Sequence, residues 1–170
     1  MRRFAALALA LWSGWWGACA ARSSSSASAE GMAVDSVSAP VITLERTPCF
    51  GGCPVYRLAV TSDGVVSYEG KAQVRQLGKA SSRISPEKVQ GLLSELERAG
   101  YFSFANRYAA AEPVCGRYAA DSPSVITSIN AEGRTKRVEH DYGCGAAPGA
   151  LVVLERRIDE VLGSTQWTGR

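Results

Sequence analysis

The sequence predicts an α+β domain, an antiparallel sheet of about five strands with two amphipathic helices packed on one face. Three observations predict it. Apolar and polar residues alternate in two separate stretches, each turning at a glycine. Each stretch is followed by apolar residues recurring at helical spacing. Residues 41–168 are of ordinary length for one hydrophobic core, and four cysteines within them can staple it.

The elements follow in order. Ile42, Leu44 and Arg46 alternate with Thr43 and Glu45, a strand pattern. After a loop holding Cys49 and Cys53, Tyr56, Leu58 and Val60 share one face of a second strand. Ser62-Asp63-Gly64 predicts a hairpin turn, because Asp-Gly tolerates the positive φ such turns require. Residues 65–69 return as the partner strand, with Val66 and Tyr68 matching the apolar face. Gly70 marks a bend or bulge, and 72–77 reads as a more polar strand at an edge.

Ser85-Pro86-Glu87 starts a helix with a Ser cap, Pro at the first position and an acid near the positive end of the dipole. Val89, Leu92, Leu93 and Leu96 form its core face, and Gly100 ends it. A loop with Glu112, Cys115 and Asp121 leads to a second hairpin, with Val125, Thr127 and Ile129 going out, a turn at 130–133 and a return over 134–140. A second helix spans about 148–162, with Leu151, Leu154, Ile158 and Leu162 on one face.

Ahead of the domain lies an address. Arg2 and Arg3, an apolar run over 4–12 and the small residues Gly17 and Ala18 describe a signal peptide over 1–18, too short and too interrupted to span a membrane. Trp16-Gly17-Ala18-Cys19 resembles the lipobox of bacterial lipoproteins, although an aliphatic residue is usual at the position of Trp16. That resemblance implies acylation of Cys19, an anchor to the membrane through its lipid, and outer-membrane sorting if the host has two membranes. Cleavage after Ala20 or Ala29, which would release a secreted or periplasmic soluble protein, is the alternative. The rest of 19–40 is Ser/Ala-rich without apolar periodicity, the composition of a flexible tether.

Removing Arg2 and Arg3 takes the 19 basic residues to 17, against 16 acidic ones, a balance of +1. No basic block survives, and the export signal points the same way, so nucleic acid is excluded as a partner.

With Cys19 acylated, Cys49, Cys53, Cys115 and Cys144 remain, and four cysteines allow three pairings. Local spacing favours Cys49 with Cys53 and Cys115 with Cys144, the latter closing a loop of about 29 residues worth roughly 3 to 4 kcal/mol. Two sharper readings compete with structural staples. A redox dithiol is one, although C-x3-C is not the thioredoxin spacing. Copper is the other: Cys49-Phe50-Gly51-Gly52-Cys53-Pro54 resembles the copper site of thioredoxin-like chaperones of cytochrome oxidase assembly, with His140 as the third ligand.

The chain as a whole resembles a bacterial family catalogued as domain of unknown function 6438. The resemblance rests on the segment from Ile42 through Cys49-Phe50-Gly51-Gly52-Cys53-Pro54 to Tyr56, and on Asp63-Gly64 with Tyr68-Glu69-Gly70. It continues in Asp121-Ser122-Pro123, Tyr142-Gly143-Cys144, Leu154-Glu155-Arg156-Arg157-Ile158-Asp159 and Trp167. Gly52 stands where a small polar residue is usual. The resemblance implies an exported domain and brings no chemistry with it.

No catalytic set assembles. A Ser-His-Asp site would need His140, whose neighbour Asp141 points to the opposite face of a strand. As a lone strand histidine, His140 is expected to be partly exposed; Glu112 and Asp121 read as solvated loop acids. No zinc helix, P-loop or dinucleotide fingerprint is present, and no cofactor is expected. The leading expectation is a non-catalytic envelope module that binds another envelope component, a protein partner among them. The alternative is a thiol redox or copper-handling protein using Cys49 and Cys53.

Overall fold

The computed structural model describes residues 38–169. The signal peptide expected over 1–18, Cys19 and nearly all of the expected tether lie outside the described residues.

Strand β1 (Pro40–Arg46) takes the centre of the sheet, because Ile42 and Leu44 turn one face fully inward while Thr43 and Glu45 turn outward. It pairs antiparallel with β2 (Val55–Thr61) on one side and β6 (Ser124–Ala131) on the other. β2 turns into β3 (Val65–Ala72) at the expected Asp63-Gly64. Gly64 has φ +89°, and a Cβ there would collide with the carbonyl oxygen of Ile84, so glycine is required twice over. β6 turns into β7 (Arg134–Asp141) at Glu132-Gly133, both with positive φ.

The expected edge strand over 72–77 is not there. Residues 73–76 bend, with Gln73 at φ +53°, and the edge strand β4 is Gly78–Arg83. Gly70 accounts for the shift. It stays inside β3, opposite Gly78, and the returning loop lies where any Cβ on Gly70 would stand, against the carbonyl of Gln76 and the Tyr68 hydroxyl. Lys79, Ser81 and Arg83 face solvent, which leaves β4 without the apolar alternation that would reveal a strand.

One sheet of seven strands results, in the order β4-β3-β2-β1-β6-β7-β5. The count of about five omitted β5 (Arg107–Tyr108), two residues that pair parallel to β7 and are too short to show a period. Helix α1 (Pro86–Arg98) starts as expected, the Ser85 hydroxyl accepting from the Lys88 amide at 3.4 Å. Helix α2 (Gly149–Leu162) ends at Gly163 in the left-handed conformation. A third helix, α3 (Thr165–Thr168), was not anticipated.

The helices and the inward residues of the strands form one core, in which Leu92 and Leu96 of α1 and Leu154 and Ile158 of α2 cover Ile42, Leu44, Leu58 and Val60. α3 brings Trp167 onto Tyr68, ring centroids 4.7 Å apart and nearly parallel, and its carbonyls receive the amides of Arg75 and Gln76 from the displaced loop.

Candidate functional site

Three loops meet at the end of the sheet where β1 finishes. The Cys49–Cys53 loop leaves β1, and its Phe50 amide donates to the Asp121 carbonyl at 3.0 Å. Asp121-Ser122-Pro123 enters β6, where the Ser124 amide donates to Thr47 Oγ1 at 2.7 Å. Tyr142 follows β7, and its amide donates to the Pro123 carbonyl at 3.0 Å. Gly143 then passes so close to Ala119 that a Cβ would collide with its carbonyl.

The cysteines are joined as Cys49–Cys53 and Cys115–Cys144, with Cα atoms 5.7 and 5.0 Å apart. The first bridge closes a ring of surface residues in which Phe50 is 90% exposed. The second is buried and ties the loop before β6 to the loop after β7.

Beneath these loops, helix and sheet exchange charge. α2 carries Glu155 and Asp159 one turn apart, on the same stripe as Leu151, Ile158 and Leu162, so both carboxylates point at the sheet. Asp159 meets Arg46, the last residue of β1: Oδ2 accepts from Nε at 2.8 Å and from Nη2 at 2.5 Å. Tyr56 sits opposite Arg46 in β2 and donates its hydroxyl to Asp159 Oδ1 at 2.6 Å. Farther in, Glu155 Oε1 is 2.9 Å from His140 Nδ1, and Oε2 accepts from the Tyr142 hydroxyl at 2.9 Å. Arg46 Nη1 reaches that same hydroxyl at 3.4 Å, which joins the two clusters.

Burial grades the network. Arg46 and Asp159 keep 16% and 15% side-chain exposure, while His140 and Glu155 keep 3% and 1%. Burial alone would lower the Arg46 pKa, but the adjacent Asp159 carboxylate holds it above the ordinary arginine value. Burial and then the Asp159 charge push the Tyr56 hydroxyl up, and burial does the same for Tyr142. At neutral pH both phenols therefore keep their protons and hold the carboxylates in place.

This arrangement corrects the expected exposure of His140. Its side chain shares the inward face of β7 with Val138, and Tyr108 of β5 and Tyr142 close over the ring. Its Nδ1 is engaged with Glu155, and it is not gathered with Cys49 and Cys53. Among the described residues no three His, Cys, Asp or Glu side chains form a group able to hold a metal ion. Asp141 turns the other way, as its position predicts, and caps the Gly143 amide at 2.8 Å. Glu112 lies near Arg107, and the Asp121 carbonyl serves the Cys49–Cys53 loop.

Sequence reasoning missed Arg46, Glu155 and Asp159 as a set. One signal was available: Glu155 interrupts an otherwise apolar helical stripe, and an acid there must be paired.

Over the Arg46–Asp159 pair opens a cavity of about 500 Å³, walled by Cys53, Pro54, Tyr56, Pro123 and Tyr142 with the pair at its base. Its size is that of a small-ligand site. All four carboxylate oxygens of Glu155 and Asp159 are engaged, the four described cysteines are bridged, and the remaining carboxylate of the wall, Glu160, is bonded to Arg157 at 2.9 Å. Four of the segments that carry the family resemblance in the sequence, Cys49 to Tyr56, Asp121 to Pro123, Tyr142 to Cys144 and Leu154 to Asp159, come together here, while Asp63-Gly64 and Tyr68 to Gly70 lie elsewhere in the sheet. A family model described as "Domain of unknown function (DUF6438)" matches residues 40–162. No curated protein matches the chain.

Proposed function

Because the chain belongs to the DUF6438 domain family, we propose its function from the geometry of this site: a non-catalytic binding module of the bacterial cell envelope. It is held by a lipid on Cys19 and captures another envelope component at the loop end of the sheet. The observation that carries the reading is the pairing of a disulfide-bridged loop presenting Phe50 with a cavity whose carboxylates, Asp159 and Glu160, are each bonded to a neighbouring side chain. Such a site is suited to holding a partner by shape, with Asp159 kept in bonds to Arg46 and Tyr56 in place of a free base. Its position supports tethering as well, since Pro40, where the chain enters the sheet, is at the opposite end of β1 from Arg46.

Two measurements test this. Photocrosslinking from position 50 of the full chain in its own cells is expected to give a discrete adduct that position 153, on the exposed side of α2, does not. Equal labelling from both positions, or none from 50, refutes capture at this end. The intact mass after denaturing alkylation without reductant is expected to carry acyl chains and no alkylated cysteine. An unacylated species beginning after Ala20 or Ala29 refutes the anchor.

A thiol redox role has one observation in its favour, namely that Cys49 and Cys53 are partly exposed while Cys115 and Cys144 are buried. Alkylation of the first pair in protein taken directly from cells would support it, and complete protection would remove it.

A further inference from the structure

We infer that the cavity at the end of β1 takes a small oxyanion, carboxylate or phosphate, carried on an apolar or aromatic body. The inference rests on the binding reading above and narrows it to a ligand class.

A census of donors and acceptors leads there. Of the carboxylates at the base, Asp159 takes Arg46 and Tyr56, and Glu155 next to it takes His140 and Tyr142, while Ser164, Thr165 and Thr168 add hydroxyls to the wall that can donate as well as accept. The hydroxyl protons of Tyr56 and Tyr142 are spent in the same bonds. Donors are left over. Arg46 directs Nε and Nη2 to Asp159 and makes only a long bond from Nη1, so its guanidinium retains N–H groups without a strong acceptor. Arg156 also lines the cavity, and among the described residues its side chain has neither a hydrogen bond nor an ion pair. The remaining carboxylate of the lining, Glu160, is 71% exposed and bonded to Arg157 at 2.9 Å. Arg157 is shared with Glu95 at 3.1 Å, and Arg156 is the one charged side chain of the wall with no bonded partner among the described residues.

A ligand completing this site must bring acceptors and negative charge, which guanidinium groups bind in a planar fork. The rest of the lining chooses the body. Pro54, Pro123, Cys53 and the Tyr142 ring offer apolar surface, so a hydrated inorganic ion leaves most of the cavity unfilled.

The test is calorimetric titration of the full chain, in neutral detergent, with benzoate, phenyl phosphate and benzamide. Both anions are expected to bind about tenfold or more tightly than the neutral amide. Arg156→Gln, a change at an exposed position that leaves the fold intact, is expected to weaken the anions roughly three- to tenfold and leave benzamide unchanged. The tighter of the two anions identifies the headgroup. Equal binding of benzamide and benzoate, or anion binding undiminished in Arg156→Gln, overturns the oxyanion inference while leaving a cavity that binds. Absence of binding by all three also overturns it, and crosslinking from position 50 then judges the binding module separately.

Discussion

The domain twice sets a disulfide beside a carboxylate bonded to a nitrogen side chain, once inside and once at the rim. Inside are Cys115–Cys144, at 1% and 4% exposure, and His140–Glu155, at 3% and 1%. At the rim are Cys49–Cys53 and Arg46–Asp159, both in reach of solvent. The inner devices are shut away from solvent within the core, so they act on global stability. The rim devices constrain a short loop and the base of a cavity, so they act on the shape presented to a ligand. The same chemistry thus has different consequences according to depth and loop length.

Alkali is expected to have the largest effect, because it acts on both regions. Burial pushes Tyr101 of the interior up to about 12, and it raises Tyr56 of the rim as well. A folded pKa above the unfolded value of 10.0 means that this stability is complete below pH 10 and is lost as pH rises toward 12 and beyond. Absorbance of tyrosinate at 295 nm and far-ultraviolet circular dichroism should therefore change together above pH 10. Full ionisation with the dichroism intact would show that the buried phenols hold nothing.

Next come the bridges. Replacing Cys115 and Cys144 with Ala is expected to lower unfolding free energy by about 3 to 4 kcal/mol, against about 2 kcal/mol for Cys49 and Cys53, since the chain-entropy term grows with the loop closed. Denaturant unfolding of the two double variants measures the difference, and equal losses would erase the distinction drawn here. The carboxylates sharpen it further. Glu155→Gln is expected to cost about 2 to 3 kcal/mol, because a fully buried site must keep every bond, and Asp159→Asn about 1 to 2 kcal/mol. Asp159→Asn should in addition alter anion binding, which Glu155→Gln should disturb less. Smallest is Phe50→Ala, expected to shift stability by less than about 0.5 kcal/mol. A large stability loss there would mean that Phe50 belongs to the fold.

The comparison also explains what the sequence revealed. Both long hairpins and both long helices were legible, because Leu58, Val66, Leu96 and Ile158 each sit in a repeating apolar period. The edge strand was misplaced because the residues of β4 carry no apolar face, and the meaning of Gly70 depends on a loop that returns over it. β5 has two residues and no period to read. At the site, the cysteine loop was visible as a local motif. Arg46 and Asp159 were not, since they lie 113 positions apart and nothing local marks either as the other's partner. His140 was read as exposed because a lone histidine on a strand does not announce a glutamate on the helix above it.

The central place of β1 has a mechanical side. The strand is hydrogen-bonded along its length to β2 on one flank and β6 on the other. A pull on the chain ahead of Pro40 runs along the strand axis, so it loads both ladders in shear and at once, where an edge strand would peel one bond at a time. Arg46, clamped to α2 through Asp159, sits at the far end of that strand as a stop against its withdrawal. A domain tugged from this end resists as a unit, and its loop end keeps its shape under tension.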